Sequence, residues 1–242
     1  MSKIWHGNFN EVDFDVYQIP LLKDNFSYII AANNIAIVID PSEGQPILDI
    51  INANQLVLEA CLITHHHLDH KKGASFLKEK TDCQLIGPKH EELKEIDQDV
   101  VDGDELGIGP FTIQVIEAPG HVQDHILYYF PECFLLFTGD ALFLSGCGRI
   151  FEGNGKQYFH SLQTIKSLPE KTLLFCGHNY IERNVAFAKQ VEPQNSAIKL
   201  EDRSTFRTLE EEIRCNPFLK VKTPEEFIKL RKQCDEFKFK PL

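Results

Sequence analysis

The sequence predicts an α/β fold, with layered and largely buried sheets followed by a small all-helical tail. Three observations predict it. Over the first two thirds of the 242 residues, short β-branched and aromatic runs alternate with amphipathic stretches. Gly, Pro, Asn and Asp cut those runs into strand-sized pieces. After about residue 180 the apolar positions recur at helical spacing instead.

Each element follows in order. VYQIPLL and FSYIIAANNIAIVIDP read as strands, the second folded back at Asn33-Asn34, because asparagine accepts the left-handed backbone of a tight hairpin turn. EGQPILDIINAN reads as a helix, LEACLIT as a strand, KKGASFLKEK as a helix, CQLIGP as a strand and HEELKEI as a helix. FTIQVIEAP and CFLLFTGD are strands, GKQYFHSLQTIKSL is a helix, and TLLFCGH is the last strand. In the tail, IERNVAFAKQVE, SAIKLEDRSTFRTLEEEIR and PEEFIKLRKQCDEFK read as helices. Pro193 and the Asn216-Pro217 and Thr223-Pro224 breaks separate them.

Composition narrows function. The chain has 25 basic and 36 acidic residues, a net charge of −11, which disfavours a nucleic-acid or anionic-membrane partner. MSKIWHGNFNEVDFDV lacks the basic start and apolar run of a signal peptide, and no apolar stretch is long enough to span a bilayer. The seven Cys are odd in number and form no CxxC pair, so a disulfide framework is not expected and a reducing cytoplasm is.

The chemistry is concentrated in Thr64-His65-His66-His67-Leu68-Asp69-His70, directly after a strand. Imidazoles and a carboxylate bury badly without partners, so this patch reads as metal-binding and not as packing. His66 and His70 have the spacing of a zincin helix, but His67 stands where the general-base Glu belongs. In an extended stretch, His65, His67 and Asp69 share one face, and His70 turns toward it from the start of a helix. Three more strands end in a small residue and a metal-type side chain: His121 after Gly120, Asp140 after Gly139, and His178 after Gly177. Strand ends converge on one rim in layered α/β folds. His65, His67 and His121 form a nitrogen-rich site, Asp69, His70 and His178 a second one, and Asp140 the natural bridge. Ions roughly 3.5–4 Å apart can share a hydroxide nucleophile at neutral pH. The donors suit zinc, with iron or manganese also compatible. His125 reads as an orienting or packed residue, and His6, His90 and His160 as surface.

These residues resemble the metallo-β-lactamase superfamily, marked by HxHxDH and a distant His, Asp and His. The chain further resembles the glyoxalase II (hydroxyacylglutathione hydrolase) family. LKDNFSYII at 22–30, THHHLDHKKG, APGHVQDH, FTGDALFLSGCGRIFEG, CGHNY and NPFL carry that resemblance. It implies an αββα sandwich holding a binuclear centre over 1–178 and a helical glutathione-binding domain over 179–242. It further implies hydrolysis of S-D-lactoylglutathione to D-lactate and glutathione by a metal-bridging hydroxide, the second step of methylglyoxal detoxification. His65, His67, His121 and Asp140 would hold one metal, and Asp69, His70, His178 and Asp140 the other. Asp69 and Asp140 would serve the bridging hydroxide. Arg149, Phe151, Tyr180 and Arg231 match substrate-binding positions, and a monomer is expected. Phe151 stands where some relatives carry Tyr, Cys234 where a second basic residue is expected, and Asp124 where a Gly is common. The alternatives are a mononuclear iron dioxygenase acting on glutathione persulfide, another hydrolase of this fold, and a non-catalytic glutathione or metal-binding protein.

Overall fold

A computed structural model describes residues 2–239. In chain order, β1 (Ser2–Phe9), β2 (Val12–Leu21), β3 (Asn25–Ala32), β4 (Ile35–Ile39), β5 (Val57–Leu62), β6 (Gln84–Pro88) and β7 (Gln98–Val100) lie side by side in one sheet. A second sheet is built the same way from β8 (Glu105–Ile108), β9 (Phe111–Glu117), β10 (Ile126–Phe130), β11 (Leu135–Gly139), β12 (Leu173–Cys176) and β13 (Arg207–Thr208). The helices are α1 (Gly44–Ala53), α2 (Leu68–Lys71), α3 (Ala74–Thr81), α4 (Gly155–Lys166), α5 (Ile181–Val191), α6 (Leu209–Cys215) and α7 (Pro224–Glu236), with a 3-10 turn at Pro217–Leu219.

Apolar burial fixes the layers. Val16, Ile30, Ile37 and Leu62 from the first sheet interdigitate with Val115, Tyr128, Phe137 and Phe175 from the second, forming an aromatic-rich middle core. The outer face of the first sheet buries Ile29, Val38 and Cys61 against Ile47 and Ile51 of α1 and Leu77 of α3. The outer face of the second buries Leu127, Leu136 and Leu174 against Tyr158 and Leu162 of α4. The result is the expected αββα sandwich.

Parallel pairing sets where the chemistry can gather. β4, β5 and β6 pair in parallel through crossovers containing α1 and then α2 and α3, while β11 and β12 pair in parallel around α4. Asp40, the 64–70 segment, Asp140 and His178 therefore all leave strands at the same rim. The hairpin at Asn33-Asn34 forms as expected, with φ of 51° and 64°.

Several elements differ from the expectation. HEELKEI is not a helix but a run of turns in which Leu93 is buried, and Asp97 just after it bonds Leu85 across the sheet. Leu93 and Ile96 are its only apolar residues, too few to give a helix a packed apolar face. SAIKLEDRSTFRTLEEEIR contains helix only over α6, because Asp202 turns the chain through the Ser204 amide and Arg207–Thr208 pairs with β12. The tail is thus not all-helical; it contributes a strand to the second sheet. The strands β1, β7, β8 and β10 were not expected. Asp69 lies in the one-turn α2, so period-2 alternation does not account for its direction.

Candidate metal centre

His65 and His67 sit in the turn between β5 and α2, Asp69 and His70 within α2, and His121 in the loop after β9. Asp140 follows β11 and His178 follows β12. These seven residues meet in two groups of donors, His65, His67, His121 and Asp140 in one and Asp69, His70 and His178 in the other. Asp140 joins them. Its Oδ2 lies 3.4 Å from His121 Nε2, while its Oδ1 lies 3.4 Å from His70 Nε2 and 3.5 Å from His178 Nε2. Asp69 Oδ2 approaches His178 Nε2 at 3.4 Å.

The rings are aimed from behind. His70 Nδ1 meets Asp40 Oδ2 at 2.9 Å, His178 Nδ1 meets Asp24 Oδ1 at 2.9 Å, and His121 Nδ1 meets the Arg149 carbonyl at 2.9 Å. A carboxylate or carbonyl only accepts, so each of these rings carries a proton on Nδ1 and turns Nε2 to the cluster. His65 Nδ1 contacts Thr64 Oγ1 at 3.0 Å, and that hydroxyl donates to Asp40. Asn25 donates to Asp69 Oδ2 at 2.9 Å. His125 accepts the Asp140 amide at 3.0 Å and stacks on His65, so it supports the cluster and does not join it.

The donor set calls for cations. His65 Nε2 and Asp140 Oδ1 are buried with no hydrogen-bond partner. His121 Nε2 lies 3.2 Å from His67 Nδ1, and His70 Nε2 lies 3.3 Å from His178 Nε2, so ring nitrogens crowd together at the centre of the cluster. Burial, reinforced by the neighbouring rings, holds the His65 pKa well below the usual imidazole value and keeps it a neutral ligand. Burial opposes ionisation of Asp140, yet His70, His178 and His121 outweigh it and hold the carboxyl far below its ordinary range. Burial likewise opposes protonation of His178, but Asp140, Asp69 and Asp24 push its pKa up to about 11. The site has an excess of negative charge to neutralise.

Two glycines permit this crowding. At Gly139, φ of +46° favours glycine, and a Cβ would meet Thr64 Oγ1 at 2.5 Å. A Cβ on Gly177 would lie 2.7 Å from both Asp140 Oδ1 and His70 Cε1.

A cavity of about 360 Å³ opens beside the cluster, with His121 and Asp140 on its wall. Three of the chain's six arginines, Arg149, Arg183 and Arg231, line it too. Phe151 is exposed at its rim, with its ring edge-on to His67 and His121, and Tyr180 stacks flat on His178. Arg149 is exposed, whereas Arg231 is buried, donating to the Cys147 carbonyl at 2.8 Å and to Asp235 at 3.1 Å. Sequence reasoning missed Arg183, which donates to the Cys234 carbonyl at 2.7 Å and brings positive charge to the place where Cys234 supplies none. It also missed Asp24, Asp40 and Asn25. Only Asp40, directly after an apolar strand, carried a signal like that of Asp140.

The metallo-beta-lactamase superfamily model matches residues 22–178. The hydroxyacylglutathione hydrolase of Pelagibacter ubique is 41% identical over 238 residues, covering 92% of this chain and 100% of that protein. The enzyme of the same name from Idiomarina loihiensis is 37% identical over 239 residues, covering 93% and 94%. Among solved structures, ETHE1 from Myxococcus xanthus superposes with a TM-score of 0.74 at 30% identity, covering 90% of this chain and 89% of that one. The convergent His and Asp donors in this fold form a divalent-metal site. Geometry and likeness thus meet at one conclusion: the chain belongs to the metallo-beta-lactamase superfamily and, within it, to the hydroxyacylglutathione hydrolase family.

Proposed function

We propose that this chain hydrolyses S-D-lactoylglutathione, and related 2-hydroxyacylglutathione thioesters, to the hydroxy acid and glutathione, as the second step of methylglyoxal detoxification. The observation that carries the reading is Asp140, whose two oxygens face different donor groups beside an arginine-walled cavity. In this reading His65, His67, His121 and Asp140 hold one divalent ion, and Asp69, His70, His178 and Asp140 hold a second. Zinc suits both, and iron or manganese is compatible with the same donors. When bound, the ions supply Lewis acidity, giving an acidified water as nucleophile and positive charge beside the thioester carbonyl.

The chain's own residues do the rest. Asp24, Asp40 and the Arg149 carbonyl hold three rings in the tautomer that presents Nε2. Arg149 and Arg183 offer charge to the carboxylates of a glutathione moiety, while Phe151 and Tyr180 give it apolar wall. Arg231 belongs to the same substrate-facing set, acting by fixing Cys147 and Gly148 beneath the substrate. A thiolate is a good leaving group, so no side chain need protonate it. Residues 1–178 would carry the chemistry and 179–242 would close the glutathione side. We place this activity in a cytoplasmic monomer; among the described residues no helix is long and apolar enough to cross a membrane.

A single-ion dioxygenase would have no use for the second donor group. Here that group is complete and is held by Asp24, Asp40 and Asn25, which favours hydrolysis. Metal analysis and a lactoylglutathione hydrolysis assay on one preparation test the proposal. Two ions per chain with turnover are expected, and His178→Ala should lose one ion and most of kcat. One iron per chain, with oxygen uptake and no hydrolysis, would overturn it.

A further inference from the structure

Outside the paired cluster, one more group of metal-type donors converges among the described residues. One atom each of His66, His90, Asp124 and Glu152 lies within 4.8 Å of the others. They come from four separate pieces of chain: the turn after β5, the segment after β6, the loop after β9 and the loop before α4.

The geometry inside the group is specific. Asp124 Oδ1 lies 2.8 Å from His66 Nδ1, and Asp124 Oδ2 accepts the His66 amide at 3.1 Å. Both side chains are nearly sealed from solvent, at 7% and 6% exposure. A carboxylate cannot donate, so a ring proton lies on Nδ1, and Nε2 is the ring atom left to face Glu152. His66 Nε2 lies 3.6 Å from Glu152 Oε1. Half-buried His90 stacks on His66 with ring centroids 3.9 Å apart and planes 11° from parallel. Its Nδ1 accepts a long 3.2 Å bond from the Glu92 amide.

We propose that His66, His90 and Glu152, oriented by Asp124, form a third divalent-cation site of the zinc class, separate from the paired cluster. Asp124 acts on His66 as the carboxylate of a carboxylate–histidine–metal triad does. Two imidazoles and one carboxylate suit zinc, whereas magnesium and calcium prefer sites built of oxygen. Parallel rings cannot both aim in-plane lone pairs at one ion, so binding turns His90 out of its stack. The ion is structural. Glu152 follows Phe151, so the clip ties the loop carrying Phe151 to the segment carrying His67, at the rim of the cavity.

Zinc titration of the chelator-stripped full-length protein, read against a chromophoric competing chelator, tests this. His90→Ala and Glu152→Gln should each bind one equivalent fewer than wild type and retain wild-type kcat. Asp124→Gly should weaken that equivalent about 10–100-fold. Magnesium should not displace it. Equal equivalents in wild type and in both ligand variants would overturn the site and leave an ion-paired histidine only. The variants' remaining equivalents report on the paired cluster alone, so two sites failing and one site failing give different counts. Both variants alter partly exposed side chains. Stripped variants that melt at the wild-type temperature establish that folding is intact, and a variant that melts lower is replaced by Asp124→Gly, for which an equivalent bound as tightly as in wild type would overturn the site.

Discussion

Asp24 belongs to neither donor group, yet His178 depends on it. Its Oδ1 is the acceptor that keeps the His178 proton on Nδ1. Removing such a support costs about 10–100-fold in metal affinity or activity, so Asp24→Ala should weaken binding and lower kcat within that range, by zinc titration and thioesterase assay. Unchanged affinity would mean that ring stacking with Tyr180 is enough to aim the ring. Gly177→Ala is the steric counterpart. Its Cβ would press on Asp140 and His70, so kcat should collapse, with a stability loss of about 1–3 kcal/mol in denaturant melts. The ligands themselves were legible, because small residues and His or Asp after apolar runs are a local pattern. Their supports were not, because Asp24 lies 154 residues from His178 and Asp40 lies 30 from His70.

At the scale of elements, α6 is joined to the metal-bearing loop by a buried ionic knot. Glu212 accepts from Arg207 at 2.9 Å, from Asn216 at 3.0 Å and from the Ser145 amide, and it is fully buried. Glu212→Ala strands the Arg207 charge in the interior and should cost about 3–5 kcal/mol, read as a fall in the denaturant midpoint. A loss under 1 kcal/mol would mean that water or Asp202 compensates. Strands with continuous apolar runs were legible, as was the Asn33-Asn34 turn. HEELKEI was misread because its charged residues have good helix propensity while Leu93 and Ile96 are too few to give a helix a packed apolar face. Within SAIKLEDRSTFRTLEEEIR, the capping-box spacing of Thr208 and Glu211 marks where α6 begins, while Arg207 and Thr208 just before it pair with a strand distant in sequence.

For the whole molecule, the tail and the sandwich are one packing unit. Phe218, Phe227 and Cys234 share an apolar cluster with Tyr158 and Leu162 of α4, and Phe227 meets Tyr158 at 5.3 Å between centroids. β13 adds an edge to the second sheet. A chain ended at residue 178 would expose α4 and lose that edge, so it should not unfold cooperatively by circular dichroism. A cooperative transition with retained turnover would instead establish an autonomous domain. The change after about residue 180 was read from sequence texture, which reports local periodicity and is blind to what the tail packs against.

One carboxylate answering to two sets of imidazoles gives those sets a common fate. Any rotation that swings Asp140 off one side withdraws it from the other in the same motion. Losing that one side chain should therefore disarm both sides together.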